Sequence, residues 1–165
     1  MKFRVAGLTL VFVLALVIPT TASAFTSVPA FRSALQRRIN HFRAEYGRAA
    51  IHLNLKLERS AQAHSNDMAI HHDFSHSSSN GTSWATRIRY YGYRGGWIGE
   101  NLAVGNVTAR TVMAMWKASP PHRANLLSPR WRELGLSAVH STSAPGVYGH
   151  APTTIVTADF VARSR

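Results

Sequence analysis

The sequence predicts an α+β domain, with helices laid against a sheet, and three observations carry that expectation. Apolar residues recur at intervals of three and four through separate segments between Phe31 and Trp116, the period of a helix. After Trp131 the period changes: Leu134, Leu136 and Ala138 alternate with Gly135, Ser137 and Val139, which reads as a strand. A second alternating run, Val156, Ala158 and Phe160, lies within Thr153–Val161. Helices first and strands last, with sheet faces to cover, point to a layered α+β architecture.

Taken in order, the first helix carries the stripe Phe31, Leu35, Ile39, Phe42 and Tyr46, with Ser27 or Pro29 near its start and Gly47 as its stop. Asn54 is a good N-cap for a second helix through Leu57, Ala61, His64 and Met68, which ends around "HHDFSH". His71 and His72 then lie near the negative end of the helix dipole, where histidine is favoured. A short third helix fits Thr82 or Ser83 to Tyr91, stopped by Gly92. A fourth carries Val112, Met115 and Trp116, is capped by Thr108 and is broken by Pro120 and Pro121. A loop containing Pro145 and Gly146 joins the two strands.

The N-terminus reads differently from the rest. Lys2 and Arg4 precede a mostly apolar stretch, Val5 to Ile18, and then the small residues Ala22-Ser23-Ala24. This is the layout of a secretory signal peptide over residues 1–24, with cleavage before Phe25. The stretch is shorter than the roughly 20 residues of a membrane-spanning helix. Residues 25–30 are expected as a short mobile lead-in, and 31–165 as one domain. Removing Lys2 and Arg4 lowers the formal net charge from +12 to +10. A chain so basic suits anionic partners such as cell-envelope polymers or lipid. Nucleic acid is disfavoured, because no nucleic-acid-binding motif is present and export separates the protein from the genome. No transmembrane segment remains after signal removal, so the expected location is secreted or periplasmic. The absence of cysteine excludes a disulfide framework, leaving stability to packing.

Five local patterns occur in one order: "INHFR" (Ile39–Arg43), "FSHS" (Phe74–Ser77), "GENLAVG" (Gly99–Gly105), "SPPHRANLL" following Trp116, and "WRELGL" (Trp131–Leu136). Together they resemble the CAP superfamily, the SCP-like extracellular domains of cysteine-rich secretory proteins, antigen 5 and pathogenesis-related 1 proteins, in its bacterial, cysteine-free branch. The resemblance runs from about Phe31 to Phe160. It implies an α-β-α sandwich of the CAP/SCP type with an open cleft lined by two histidines and two acidic residues. His76 and His122 match the histidine positions and Glu100 the first acid. Asn40 and Arg43 match the N-x-x-R of the first helix. Many family members carry a second glutamate where this chain has Ser119.

The chemistry of such a cleft has several readings. In some family members the paired histidines bind zinc or another divalent cation, and His76, His122 and Glu100 would be the ligands here. Three protein ligands with an open position is the usual catalytic zinc arrangement, and losing the second acid at Ser119 leaves less negative charge to offset a dication. Glu100 could instead orient a histidine or a water as general base, or the trio could be a hydrogen-bonded cluster that orders the cleft. His72 and His76 make a competing metal pair only if both lie on one helical turn, which Phe74-Ser75 argues against. The alternative is a protease-like hydrolase at the same cleft, metal-assisted or metal-free, and a covalent mechanism there would need a side-chain nucleophile. The chain has no cysteine and no G-x-S-x-G elbow, and Ser77 and Ser119 are adjacent to histidines only in sequence. His76, Glu100, His122 and Ser119 are therefore cleft candidates without an assigned catalytic role. Arg123 and Trp97 are candidate ligand contacts, Trp97 from a Gly-rich loop. Asn125 is expected to bond to backbone near His122. The reading favours a secreted binding or interaction module with an unknown cleft ligand over an enzyme.

Overall fold

In the computed structural model, which describes residues 25–27, 29–94, 96–142, 149 and 151–162, the first helix starts at a proline. Pro29–Glu45 forms α1, and proline suits a first turn, where its missing N–H has no partner to lose. Gly47, with φ 63°, stops the helix as expected, since glycine enters the left-handed region without a Cβ penalty. Leu55–His71 forms α2, and Asn54 caps it by accepting from the amides of Lys56 and Leu57. Trp84–Tyr90 forms α3 under Ser83, and Ala109–Ala118 forms α4 under a reciprocal Thr108–Thr111 capping box. The expected caps at Asn54 and Thr108 are the observed ones, and of the two starts open for α3, Thr82 and Ser83, it is Ser83 that caps.

The strands are β1 (Phe25–Ser27), β2 (His52–Leu53), β3 (Ile98–Gly105), β4 (Glu133–Ser141) and β5 (Thr153–Val161). The sheet runs β1-β4-β5-β3, with the short β2 parallel to β4 and the other pairs antiparallel. Three elements differ from the sequence reading. Residues 25–27, expected in a mobile lead-in, pair with 139–141 of β4. The "GENLAVG" segment is strand β3. Its alternation is hidden because residues 99–103 are buried on both faces, as happens in a strand covered on both sides. Finally, Pro120 and Pro121 end α4 but also begin a further helix, α5 (Pro120–Leu127), with both prolines in its first turn. The signal leader at 1–24 and the Pro145-Gly146 loop lie outside the described residues.

Each sheet face has its own cover. Leu134, Leu136, Ala138, Val156, Ala158 and Phe160 point to one side and pack on Leu35, Ile39 and Phe42 of α1, Val112, Met113 and Trp116 of α4 and Leu126 of α5. This is the main apolar core. Register partners Glu100, Asp159 and Gly135 point to the other side, as do Leu102, Thr157 and Ser137. There α2 lies close enough that a Cβ on Gly135 would overlap the Leu57 backbone. Met68 and Ala69 of α2 pack with Leu102 and Ile155, and the Ser65 and Thr157 hydroxyls are 2.8 Å apart. The result is an α-β-α sandwich with one apolar interface and one partly polar one. The polar interface holds Glu100, one of the candidate site residues.

Candidate functional site

Glu100 sits in the middle of β3 with its side chain 1% exposed. Burying a carboxylate is costly unless it is paired, and this one is paired twice. One oxygen accepts from His76 Nδ1 at 2.8 Å. The other takes a hydrogen bond from the guanidinium of Arg87 on α3, itself 5% exposed. Arg87 also donates to the Ser78 hydroxyl at 3.2 Å, which ties the loop carrying His76 to α3. His76 is 54% exposed. One ring edge is therefore anchored to buried charge while the rest meets solvent. The hydrogen bond to Glu100 raises the His76 pKa, outweighing partial burial.

His122 lies in the first half of α5. Its carbonyl accepts from Asn101 Nδ2 at 3.1 Å. Its pKa is lowered, first by burial and then by the charge of nearby His76. The two histidines thus share one electrostatic neighbourhood with opposite shifts. Asn125, one turn on, donates to the Glu100 carbonyl at 3.1 Å and to Asn101 Oδ1 at 2.9 Å, while its own carbonyl accepts from Trp131 Nε1 at 2.7 Å. A Cβ on Gly99 would come within 2.9 Å of the Asn125 side chain and 3.0 Å of the Trp131 ring. The three residues of "GEN" therefore have three jobs. Gly99 admits α5, Glu100 holds His76, and Asn101 holds the backbone of His122. A cleft of about 390 Å³ opens here, lined by His76, Trp84, Ile98, Gly99, Glu100 and Asn125.

Other sequence candidates lie elsewhere. Arg123 faces α1: its guanidinium donates to the Tyr46 hydroxyl at 2.8 Å and stacks 5.3 Å from the Phe42 ring centre. Ser119 joins α4 to α5 and makes no side-chain capping bond. Trp97 precedes β3, is 62% exposed, and carries the Arg130 guanidinium 4.2 Å over its ring. Asn40 and Arg43 are structural. Asn40 bonds both the amide and the carbonyl of Ile51, and buried Arg43 donates to the carbonyls of Ala49, Leu126 and Ser128. His72 caps α2 with φ 55°, so His72 and His76 do not share a helical turn.

Two site residues were not found from sequence. Arg87 is one of many arginines, and nothing local marks it as Glu100's partner. Asp159 is the only acid in the otherwise uncharged β5, a signal that was there to read. It is fully buried beside Glu100, and among the described residues neither of its oxygens makes a hydrogen bond of good geometry, although Ser60 and Glu100 are close enough to influence it. Burial, then the Glu100 charge, pushes its pKa well above the usual carboxylate range. His64 of α2, also fully buried, bonds the Ser75 carbonyl through Nε2 at 2.9 Å. Burial, then the charge of Arg87, lowers its pKa.

A tightly held zinc ion takes at least three protein donors. Glu100 has one oxygen on His76 and the other on Arg87, so its charge is already matched by a buried cation. Among the described residues, no group of three His, Cys, Asp or Glu side chains could hold a metal ion. These side chains do not fit a tightly held metal.

Comparison with known proteins agrees with the geometry. Bacillus subtilis YkwD is 32% identical over 124 residues, covering 75% of this chain and 48% of its own length, so the chain spans about half of that relative. An extracellular SCP-domain protein from Bacillus anthracis superposes with a TM-score of 0.68 at 22% identity, over 81% of this chain and 41% of that one. An outer surface protein from Borrelia burgdorferi superposes at 0.74 and 18% identity, over 84% of this chain and 98% of that one. The cysteine-rich secretory protein (CAP) family matches residues 36–160, and with the sandwich, the "GEN" strand and the absence of cysteine, the chain belongs to that family in its cysteine-free bacterial form.

Proposed function

We propose that the protein is an exported binding module whose cleft recognises a small group bearing a hydrogen-bond acceptor or negative charge, with His76 as the contact. The observation behind this reading is the half-exposed His76 ring held by buried Glu100 through Nδ1. Anchoring one nitrogen fixes the direction of the other, as a carboxylate partner does for many functional histidines. The raised pKa keeps the ring cationic to higher pH than a free histidine, which favours an anionic or strongly accepting ligand. Trp84 and Ile98 supply an apolar wall, and the cleft volume suits a small ligand. Hydrolysis is less well supported, because among the described residues no serine hydroxyl bonds to His76 or His122 and no oxyanion site is evident. Export is supported by the leader-like residues 1–24 and by the extracellular and outer-surface relatives. No helix among the described residues is long and apolar enough to cross a membrane.

The test is a screen of small carboxylates, phosphates and amides by NMR, reading the His76 ring and Trp84 indole signals. Ligands should shift both, and His76→Ala should abolish the response while His72→Ala leaves it intact. Turnover of an ester or peptide that depends on both His76 and His122 would replace the binding reading with a hydrolytic one. Mass spectrometry of exported material should show Phe25 at the N-terminus.

A further inference from the structure

We propose that the groove between α1 and α4 binds a linear polyol-phosphate polymer, on the side of the sheet opposite His76. The groove, about 450 Å³, is lined by Arg37, Arg38 and His41 of α1 and by Arg110 and Lys117 of α4. All five of these side chains are exposed. The acid on its lining, Glu45, is paired with His41 at 3.2 Å. Among the described residues, no carboxylate lies within 4.0 Å of Arg37, Arg38, Arg110 or Lys117. Four uncompensated cations around one groove repel one another, and a bound polyanion relieves that repulsion.

The arrangement selects among anions. Arg110 and Lys117 are two helical turns apart, about 10 Å along α4, and Arg37 and Arg38 line the groove from α1. Charges strung along a groove suit a repeating anion better than a single one. Arginine forks match the paired non-bridging oxygens of a phosphodiester. The apolar floor, Phe42 and Met113, is only 4% and 5% exposed, and none of the large exposed apolar side chains lines the groove. Insertion into a bilayer would need an exposed apolar face, and a purely electrostatic contact with anionic lipid is what the vesicle arm of the test below separates. Nucleic acid gains affinity by stacking bases on free aromatic faces. The one Phe, Tyr or Trp ring on the lining, Phe42, is buried, with the Lys117 ammonium 5.0 Å from its centre. A phosphate-polyol chain meets the groove's cations and needs neither an exposed apolar face nor a stacking ring.

Fluorescence anisotropy with dye-labelled poly(glycerol phosphate) tests this on the purified protein. Arg37→Gln with Arg110→Gln should weaken binding about tenfold and flatten the salt dependence by one to two ions, as expected for lost phosphate contacts. Glutamine keeps the helix propensity of both exposed sites, and circular dichroism checks that the fold is retained. The control, Arg59→Gln with Arg89→Gln, removes the same net charge from other exposed positions and should change affinity less than about twofold. His76→Ala should leave polymer binding unchanged, so failure here and failure of the His76 reading are separable. Equal loss in both double variants would overturn the groove in favour of diffuse charge. Equal or tighter binding of poly-L-glutamate or of single-stranded DNA would overturn the polyol-phosphate assignment. So would capture of phosphatidylglycerol vesicles without polymer binding, or binding unchanged by high salt.

Discussion

Glu100 and Asp159 are register partners across the β3–β5 ladder, with both carboxyl groups on the α2 face of the sheet and both out of water. Only Glu100 reaches a cation, Arg87, and burial followed by the Glu100 charge pushes the Asp159 pKa well above the usual carboxylate range, so Asp159 is the member of the pair that takes up a proton first. Two acids in one dry site cannot both ionise cheaply. The pair is the buried base on which exposed His76 rests, and the predictions below probe it from different sides.

Replacing Glu100 by Gln removes the partner of buried Arg87. Breaking a buried ion pair on one side costs about 3–5 kcal/mol, so urea unfolding should show a loss of that order. The same variant should bring the His76 pKa down in an NMR titration, because the bond that raises it is gone. A His76 titration unmoved by Glu100→Gln would mean the contact does not set its charge.

Asp159→Asn should stabilise the protein at neutral pH. Its raised folded pKa means the native state keeps a proton that the unfolded chain releases. Stability therefore falls as pH rises from the ordinary carboxylate range toward the folded value. Asparagine removes that dependence. Thermal melts across pH should show a flatter profile for the variant; a destabilised variant with an unchanged profile would contradict a protonated Asp159.

The histidines should titrate in a definite order, His76 above the usual range and both His122 and His64 below it. The signs differ accordingly. Stability contributed by His76 is complete below the unfolded value of about 6.5 and is lost as pH rises through its folded pKa. For His64 and His122, protonation is disfavoured in the fold, so stability is lost as pH falls below about 6.5 through their lowered values. Two-dimensional NMR of the ring protons reads all three directly.

Gly135→Ala should be among the most damaging single-methyl changes in the chain. The added carbon would overlap the Leu57 backbone, and backbone cannot swing aside as a side chain can. Overpacking of this kind costs about 1–3 kcal/mol or more. At Gly99 the obstacle is mainly side chain, Asn125 and Trp131, so Gly99→Ala should cost less in denaturant midpoint. It should nonetheless disturb the cleft by shifting α5.

Much of this protein was determined by the sequence acting locally. Caps at Asn54 and Thr108, the stop at Gly47 and the alternation in β4 and β5 depend on neighbours within a few residues and were legible there, while the start of α3 was open between Thr82 and Ser83. The ordered motifs also carried the family, and with it His76, Glu100 and His122 as cleft candidates. Tertiary structure decided what local pattern cannot encode. β3 was hidden because burial on both faces erases a two-residue period, and α5 because two prolines can start a helix as readily as they end one. Arg123 was drawn to the α1 face by Phe42 and Tyr46, rings whose position depends on how α1 meets α5. Arg87 and Asp159 joined the site because strand register and the docking of α3 brought them to Glu100. A buried charge takes its partner from whatever the fold places within a few ångströms, and separation along the chain does not reveal that distance.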